Sequence, residues 1–386
     1  MIRYASTLEM EPVSAAPPRP AIDDLVVVMP VFSGGGARRD VVLLCNALAV
    51  KGVPVTILVL VDEGPLGGLI DSRVRVVDLG VPRIRYALPA IRRAIRAAAP
   101  QMVLSSESSL NVACLAAVRT LPRSARPLIV LREVASPSAA QQYDPSWQGR
   151  VAYRVLHHLY RYADRVITLT DGARRDLVEN FSLPQEKVAT MLSNAVITPD
   201  VTERIDGWDG ESGRENGLVV SVGRLSPEKN QRLLLEAMTL DADGTWRLAL
   251  VGDGPERAAL ERFAAEHGLS HRVTFVGFDP DPFAWLMKAQ VAVCSSVYEG
   301  LCNAIIEALG CGTPVVSTDC PFGPHEILQG GKLGTLVPEG DAPALAAAIR
   351  SALRAPVDRQ RLIDRSLDYT AERAADDFLE IAGALV

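Results

Sequence analysis

Short apolar, β-branched runs alternate along the chain with stretches whose apolar positions recur at three- and four-residue steps. The runs have strand length, and the recurring positions trace one face of a helix. The alternation therefore predicts βαβ units and parallel sheets. In the first half, strands are expected at 25–29, 53–60, 74–79, 102–105, 128–132 and 165–169, with helices such as 40–50, 86–99 and 111–119 between them. The pattern then lapses. Residues 197–216 are polar and acidic, carry Pro199, Gly207, Gly210 and Gly213, and hold no sustained period, which reads as a linker. A second series follows, with strands at 218–222, 246–251, 273–276, 291–294 and 314–317 and helices at 230–238, 256–267, 303–309 and 342–353. The stretch 359–386 is helical in pattern with no strand after it.

These elements describe an α/β protein of two doubly wound, Rossmann-like parallel-sheet domains, 21–196 and 217–366. The stretch 197–216 joins them, a flexible 1–20 precedes them, and a helix within 367–386 is expected to pack back on the first domain. A length of 386 residues suits two cores rather than one. Doubly wound sheets bind ligands beyond the carboxyl ends of their strands, so the cleft between the two domains is the expected site.

Composition narrows the classes. Hydrophobic content of 48% and charged content of 22% are those of a globular protein. The six cysteines, Cys45, Cys114, Cys294, Cys302, Cys311 and Cys320, form no C-x-x-C pair and read as buried, reduced thiols. The five histidines show no metal-ligand spacing. Residues 1–20 lack the apolar stretch of a signal peptide, and no apolar run is long enough to span a bilayer, so a cytoplasmic protein is expected. The net charge of −6 hides a basic first half and an acidic second half. Within the basic half, Arg92, Arg93 and Arg96 share one side of a helix and Ile91, Ile95 and Ala98 another. Two readings fit: a surface attracted to anionic lipid at the inner face of the membrane or to a lipid-diphosphate acceptor, or simply a solvated face. Nucleic acid is disfavoured, because the whole chain is acidic and no aromatic residues interleave with the arginines.

Three segments of the second half carry the candidate chemistry. After the strand 218–222 comes Gly223-Arg224-Leu225-Ser226-Pro227-Glu228-Lys229-Asn230. Arg224 and Lys229, on a loop that enters a helix, can close on one diphosphate: arginine offers a planar fork and lysine a point charge. After the strand 291–294, the run from Glu299 through Gly300, Leu301, Cys302 and Asn303 to Glu307 opens a helix. Free N–H groups of Leu301, Cys302 and Asn303 would face an anion with the help of the helix dipole. On one helix axis, Glu299 and Glu307 would stand about 9–12 Å apart, near the span from a nucleotide's ribose to its sugar. The third segment, Gly252-Asp253-Gly254, is a strand-to-helix turn whose glycines either let backbone approach a ligand or simply make the turn.

These phrases resemble the retaining family 4 glycosyltransferases of the GT-B fold, of the type that builds bacterial surface polysaccharides. The likeness runs through nearly the whole chain: GGGARRDVVLLCNAL (34–48), VGRLSPEKN (222–230), LVGDGPE (250–256), VTFVGF (273–278) and SSVYEGLCNAIIEALGCGTPVVSTDCPFGPHEIL (295–328). The resemblance implies a hexose or N-acetylhexosamine carried by a nucleotide, UDP above all, and transferred to a glycan or lipid-diphosphate-linked acceptor. It assigns Arg224 and Lys229 to the diphosphate, Glu307 to the ribose, and Glu299 with the amides of Gly300 to Asn303 to the donor sugar and its phosphate. Backbone at Val276, Gly277 and Phe278 would hold the base, and the Gly34-Gly35-Gly36 loop would close over the diphosphate. Many members place a histidine after the strand that here ends near Leu131. This chain has Arg132-Glu133-Val134-Ala135 instead, so Arg132 or Glu133 is expected on the sugar or acceptor side. His157 and His158 lie too far along the chain to substitute. In this family the departing diphosphate takes the acceptor's proton, so no cofactor and no metal are implied. Asp241-Ala242-Asp243 matches an Asp-x-Asp string but sits in a loop before a strand.

Other classes fit less well. An NAD-dependent oxidoreductase should read G-x-G-x-x-G. Gly34-Gly35-Gly36 runs on into Ala37-Arg38-Arg39 and Gly252-Asp253-Gly254 into Pro255-Glu256-Arg257, so both lack the third glycine. A nucleotide-sugar epimerase of the same fold needs an acid–base pair that the few histidines do not supply. A non-catalytic sugar- or lipid-binding module would not need both cations and both glutamates.

Overall fold

The structure, a computed structural model, describes residues 22–135, 137–143, 153, 158–241 and 244–386. The segment 1–20, His157 and the second half of the Asp-x-Asp string (242–243) lie outside the described residues.

The first sheet has seven parallel strands in the order β3-β2-β1-β4-β5-β6-β7: β1 (Leu25–Val31), β2 (Val55–Val61), β3 (Arg75–Asp78), β4 (Met102–Ser106), β5 (Leu128–Glu133), β6 (Arg165–Thr168) and β7 (Val188–Thr190). The second has six, in the order β10-β9-β8-β11-β12-β13: β8 (Leu218–Val222), β9 (Arg247–Val251), β10 (Val273–Gly277), β11 (Val291–Cys294), β12 (Val315–Thr318) and β13 (Thr335–Val337). The central strands are apolar at most positions because helices cover both faces. In β1, Leu25, Val27 and Met29 pack with Leu44 and Leu48 of the Gly36–Val50 helix. Val26 and Val28 pack on the opposite face with Ile91 and Ile95 of the Leu88–Ala98 helix. The two-residue alternation of a strand sorts them. The second domain repeats the scheme: Leu218 and Val220 face Ile305 and Ile306, while Val219 faces Leu234 and Phe263.

In both sheets the winding reverses beside the first strand, between β1 and β4 and between β8 and β11. A crevice opens outside the carboxyl ends at such a point. The loops leaving β1, β8 and β11 are those carrying Gly34–Gly36, Arg224–Lys229 and Glu299–Asn303. The sequence alone did not reveal β7 and β13, which are three-residue edge strands too short to show a period.

Two chain crossings join the domains, and they touch each other. The amides of Val196 and Ile197 donate to Tyr369 O (3.2 and 3.1 Å), and Ala371 N–H donates to Ile197 O at 2.9 Å. The stretch expected to be an irregular linker contains a helix, Pro199–Asp206, whose Val201 and Ile205 are buried in the second domain's core. Pro199 at its first turn was the sequence signal for it. The helical tail divides at Leu367–Tyr369. Leu362 and Tyr369 join the second core, while the Ala371–Gly383 helix lays Ala374, Ala375, Phe378 and Ala382 into the first.

Candidate functional site

The loop after β8 makes one short helical turn, Pro227–Lys229, and leaves Asn230 in the left-handed region at φ 46°. That turn aims Lys229 at the loop after β11. Its Nζ lies 2.5 Å from Glu299 Oε1, and the same oxygen accepts from Ser296 Oγ at 2.6 Å. The loops are also joined through backbone, Val297 N–H to Glu228 O (2.8 Å) and Ser295 Oγ to Lys229 O (2.9 Å). Glu299 is only 7% exposed. Burial alone would lower the Lys229 pKa, but the Glu299 carboxylate outweighs it and holds the ammonium well above its usual range. Arg224 leaves the same loop exposed, with no ion pair among the described residues.

The Asn303–Gly310 helix starts where its apolar period predicts and does not extend back to Glu299. Cys302 takes the cap position at φ 70°, a left-handed conformation that interrupts any helix across Glu299–Cys302. Glu299 and Glu307 therefore do not share one axis, and the rise of a helix does not measure their separation. Glu299 belongs to the loop and Glu307 to the helix. The amides of Leu301, Cys302 and Asn303 donate to no acceptor among the described residues, which leaves them directed at the cleft end of the helix.

Glu307 is buried and paired with Arg39, whose Nη1 lies 2.9 Å from Oε1. Burial pushes its pKa up to about 7, with Arg39 opposing and Asp281 adding to the shift. Arg39 stands in the first turns of the Gly36–Val50 helix, which begins four residues ahead of its sequence expectation. Just before it, Gly34 (φ 48°) and Gly35 (φ 88°) adopt backbone that favours glycine and face open space. Gly36 instead meets the facing domain. A Cβ there would lie 3.1 Å from Asn303 Nδ2, which already donates to Gly36 O at 3.0 Å.

Arg132 and Glu133 are not free in the cleft. Arg132 is fully buried, ion-paired with Asp40, and donates to Asn194 Oδ1. Asn194 Nδ2 in turn donates to Asn303 Oδ1 at 2.8 Å, so Arg132 reaches the site only through a relay. Glu133, 1% exposed, accepts from Ser108 Oγ (3.1 Å) and Tyr160 Oη (2.8 Å). The backbone just after them does reach the donor loop. A Cβ on Gly300 would stand 1.9 Å from Val134 O, an approach between domains that only glycine allows.

The remaining sequence-derived residues divide. Gly252 and Gly254 have a packing reason: a Cβ on either would lie 1.9 Å from Gly223 O or 2.2 Å from Leu225 O. At the end of β10, Gly277 O accepts from Gly252 N–H (2.8 Å), Val276 is half-buried and Phe278 is exposed. On the Leu88–Ala98 helix, Ile91 and Ile95 face the sheet while Arg93 and Arg96 are exposed and Arg92 half-buried. His158 is exposed and bonds Arg161. Sequence reasoning missed Arg39, Asp40 and Asn194. Arg39 and Asp40 stood in a quoted phrase, but nothing local marks a side chain whose charged partner lies far along the chain, Glu307 for Arg39 and Arg132 for Asp40. It also missed that the β11 loop folds Cys294 Sγ to within 3.5 Å of Cys302 Sγ, over Glu299. No helix among the described residues is long and apolar enough to cross a membrane.

Comparison with known proteins fits this geometry. The model described as "Glycosyl transferase 4-like domain" matches residues 35–192, and that of "Glycosyl transferases group 1" matches 216–355. The Rhizobium meliloti lipopolysaccharide core biosynthesis glycosyltransferase LpsE is 27% identical over 90% of this chain and 95% of its own. The Campylobacter jejuni N-acetylgalactosamine-N,N'-diacetylbacillosaminyl-diphospho-undecaprenol 4-alpha-N-acetylgalactosaminyltransferase is 30% identical, but over only 54% of this chain and 56% of that protein. Among solved structures, Anabaena Alr3699/HepE in complex with UDP and glucose superposes with a TM-score of 0.73, at 19% identity, over 94% of this chain and 99% of that one. With its two halves matched by separate models and two Rossmann-like domains facing one cleft, the chain belongs to the group 1, family 4-like glycosyltransferases of the GT-B fold.

Proposed function

We propose that this glycosyltransferase takes a hexose or N-acetylhexosamine from a nucleotide sugar, UDP-linked, and delivers it with retention to a glycan or lipid-diphosphate-linked acceptor in surface polysaccharide or lipopolysaccharide synthesis. The observation that carries the reading is the Lys229–Glu299 pair at the switch point of the second sheet. Beside it lie an exposed Arg224, three undonated amides and a buried Glu307. The donor diphosphate sits between Arg224, Lys229 and the amides of Leu301–Asn303, all of which strengthen their hold as the leaving group gains negative charge. Glu299 accepts from sugar hydroxyls and Glu307 from the ribose diol. Backbone at Val276–Phe278 lines the base, and the Gly34–Gly35 loop covers the phosphates.

The acceptor oxygen bonds to the anomeric carbon on the face from which the diphosphate departs. Its proton passes to the leaving phosphate oxygen, so no side-chain base and no resident metal are needed. Arg132 and Glu133 position this chemistry through Asn194 and Val134 rather than touching the sugar. The names of the relatives support an acceptor of glycan or lipid-diphosphate type. Arg93 and Arg96 give the enzyme a contact with the anionic inner face of the membrane.

A thermal-shift and hydrolysis screen against UDP, GDP, ADP and their sugars, with and without chelator, tests the reading. Stabilisation by one nucleotide class, with slow release of the diphosphate that survives chelation, is the expected result. Indifference to every nucleotide overturns it.

A further inference from the structure

Cys294, at the end of β11, and Cys302, at the cap of the Asn303–Gly310 helix, approach Glu299 from two sides. The two Sγ atoms are 3.5 Å apart, Cys294 Sγ lies 3.9 Å from Glu299 Oε1, and the three ligand atoms all fall within 4.8 Å of one another. All three residues are buried. We propose that this cluster is a binding site for a thiophilic divalent cation such as Zn²⁺, and that the ion inhibits transfer by drawing Glu299 away from Lys229.

Distances favour a metal over a disulfide. Zinc at 2.3 Å from two thiolates and about 2.0 Å from a carboxylate oxygen, in tetrahedral array, sets S···S near about 3.8 Å and S···O near about 3.5 Å. The Sγ···Sγ separation of 3.5 Å and the Cys294 Sγ···Glu299 Oε1 separation of 3.9 Å differ from these by a few tenths of an ångström, and Cys302 Sγ lies within 4.8 Å of the Glu299 carboxylate. A disulfide requires sulfurs at about 2.05 Å, a closure of about 1.5 Å. Both backbones are already committed, one to the parallel sheet and the other to a left-handed cap. Charge is conserved as well. Binding releases two thiol protons to water and brings in two positive charges, so Lys229 and Glu299 meet no net change. Two soft ligands with one carboxylate fill three positions of a zinc site and leave the fourth open. Ser296 Oγ, already 2.6 Å from Glu299 Oε1, stands beside it.

The loss of transfer rests on the donor site proposed above; uptake of the ion does not. The test begins with fully reduced, metal-free protein titrated with Co²⁺, followed by displacement with Zn²⁺. The expected result is one ion per chain, with a thiolate-to-cobalt charge-transfer band and the visible bands of a four-coordinate site. Cys294→Ser and Cys302→Ser should each lose the charge-transfer intensity while keeping the wild-type circular dichroism. Cys311→Ala, whose thiol faces Phe283 O, should keep it. No band in the wild type, or a band that survives both serine variants, overturns the site. In the donor assay, one equivalent of Zn²⁺ should lower the initial rate at least tenfold and a chelator should restore it. An undiminished rate with the ion bound overturns the inhibition. A protein that takes up cobalt but transfers no sugar under any condition keeps the metal site and defeats the proposed function instead.

Discussion

Arg39, on the first helix of one domain, donates through Nη1 to Glu307 Oε1 of the other at 2.9 Å, and so ties the two walls of the cleft together with a charge pair. In the proposed reaction the ribose diol needs the same carboxylate. Replacing Arg39 with Ala leaves Glu307 buried without its counter-charge and moves its pKa further upward. Affinity for the nucleoside diphosphate should then peak at higher pH than in the wild type, as isothermal titration at a series of pH values would reveal. An unchanged pH profile would show that the pair is irrelevant to the donor.

Glu307 also sets a stability slope. Its carboxyl is raised from 4.5 to about 7 in the folded chain, so between those values the native state holds a proton that the unfolded state releases. Stability from this group is complete below the unfolded value and is lost as pH rises to about 7. Glu307→Gln should flatten that part of the curve of melting temperature against pH, and should gain on the wild type above it. Parallel curves for the two proteins would refute the assignment.

Lys229→Met removes the cation that Glu299 faces and, in the proposed site, one donor to the departing diphosphate. The expected loss is in kcat, about 2.7–4 kcal/mol in the barrier or roughly a hundred- to a thousand-fold, with a smaller change in nucleotide Kd. Equal losses in both would make Lys229 a ground-state binder.

Gly300→Ala tests how closely the domains must meet. The added methyl would stand 1.9 Å from Val134 O, backbone that has no flexible side chain to yield. Both domains should stay folded while the cleft is held open. X-ray scattering would then report a larger radius of gyration, and turnover would collapse. Full activity in a compact variant would mean that the loops never need this contact.

Arg132→Met strands Asp40 without its partner in a fully buried position. Breaking one side of such a pair costs about 3–5 kcal/mol, to be read from urea denaturation. The paired change Asp40→Leu with Arg132→Met should recover much of that loss.

Most of the architecture was legible because parallel strands buried on both faces write themselves as unbroken apolar runs, as β1 and β11 do. The edge strands β7 and β13 were too short to leave a pattern. The Pro199–Asp206 helix hid among polar residues because only Val201 and Ile205 face inward. The motif residues Lys229 and Glu299, which the sequence placed in one site, also pair with each other, since turns after neighbouring strands deliver them to one place. Local sequence could not show what Arg132 does. In the chain it looks like a free cation after a strand, yet it is sealed between Asp40 and Asn194, which come from distant elements. The left-handed turn at Cys302 that keeps Glu299 off the axis of the Asn303–Gly310 helix was equally hidden, because a left-handed cysteine has no sequence signature.

The hydrogen-bonded crossing of residues 196–197 with 369–371 has a bearing on how the protein is made. Phe378 and its neighbours complete a core whose other walls are translated far earlier. At about 5–20 residues per second, the closing helix leaves the ribosome roughly ten to forty seconds after the first domain's last strand. During that interval the nascent first domain presents an uncovered apolar groove along its Gly36–Val50 helix, and the later domain folds while the earlier one stays open. The order of synthesis and the order of completion are thus reversed, and a chaperone that shields the groove has a defined window in which to act.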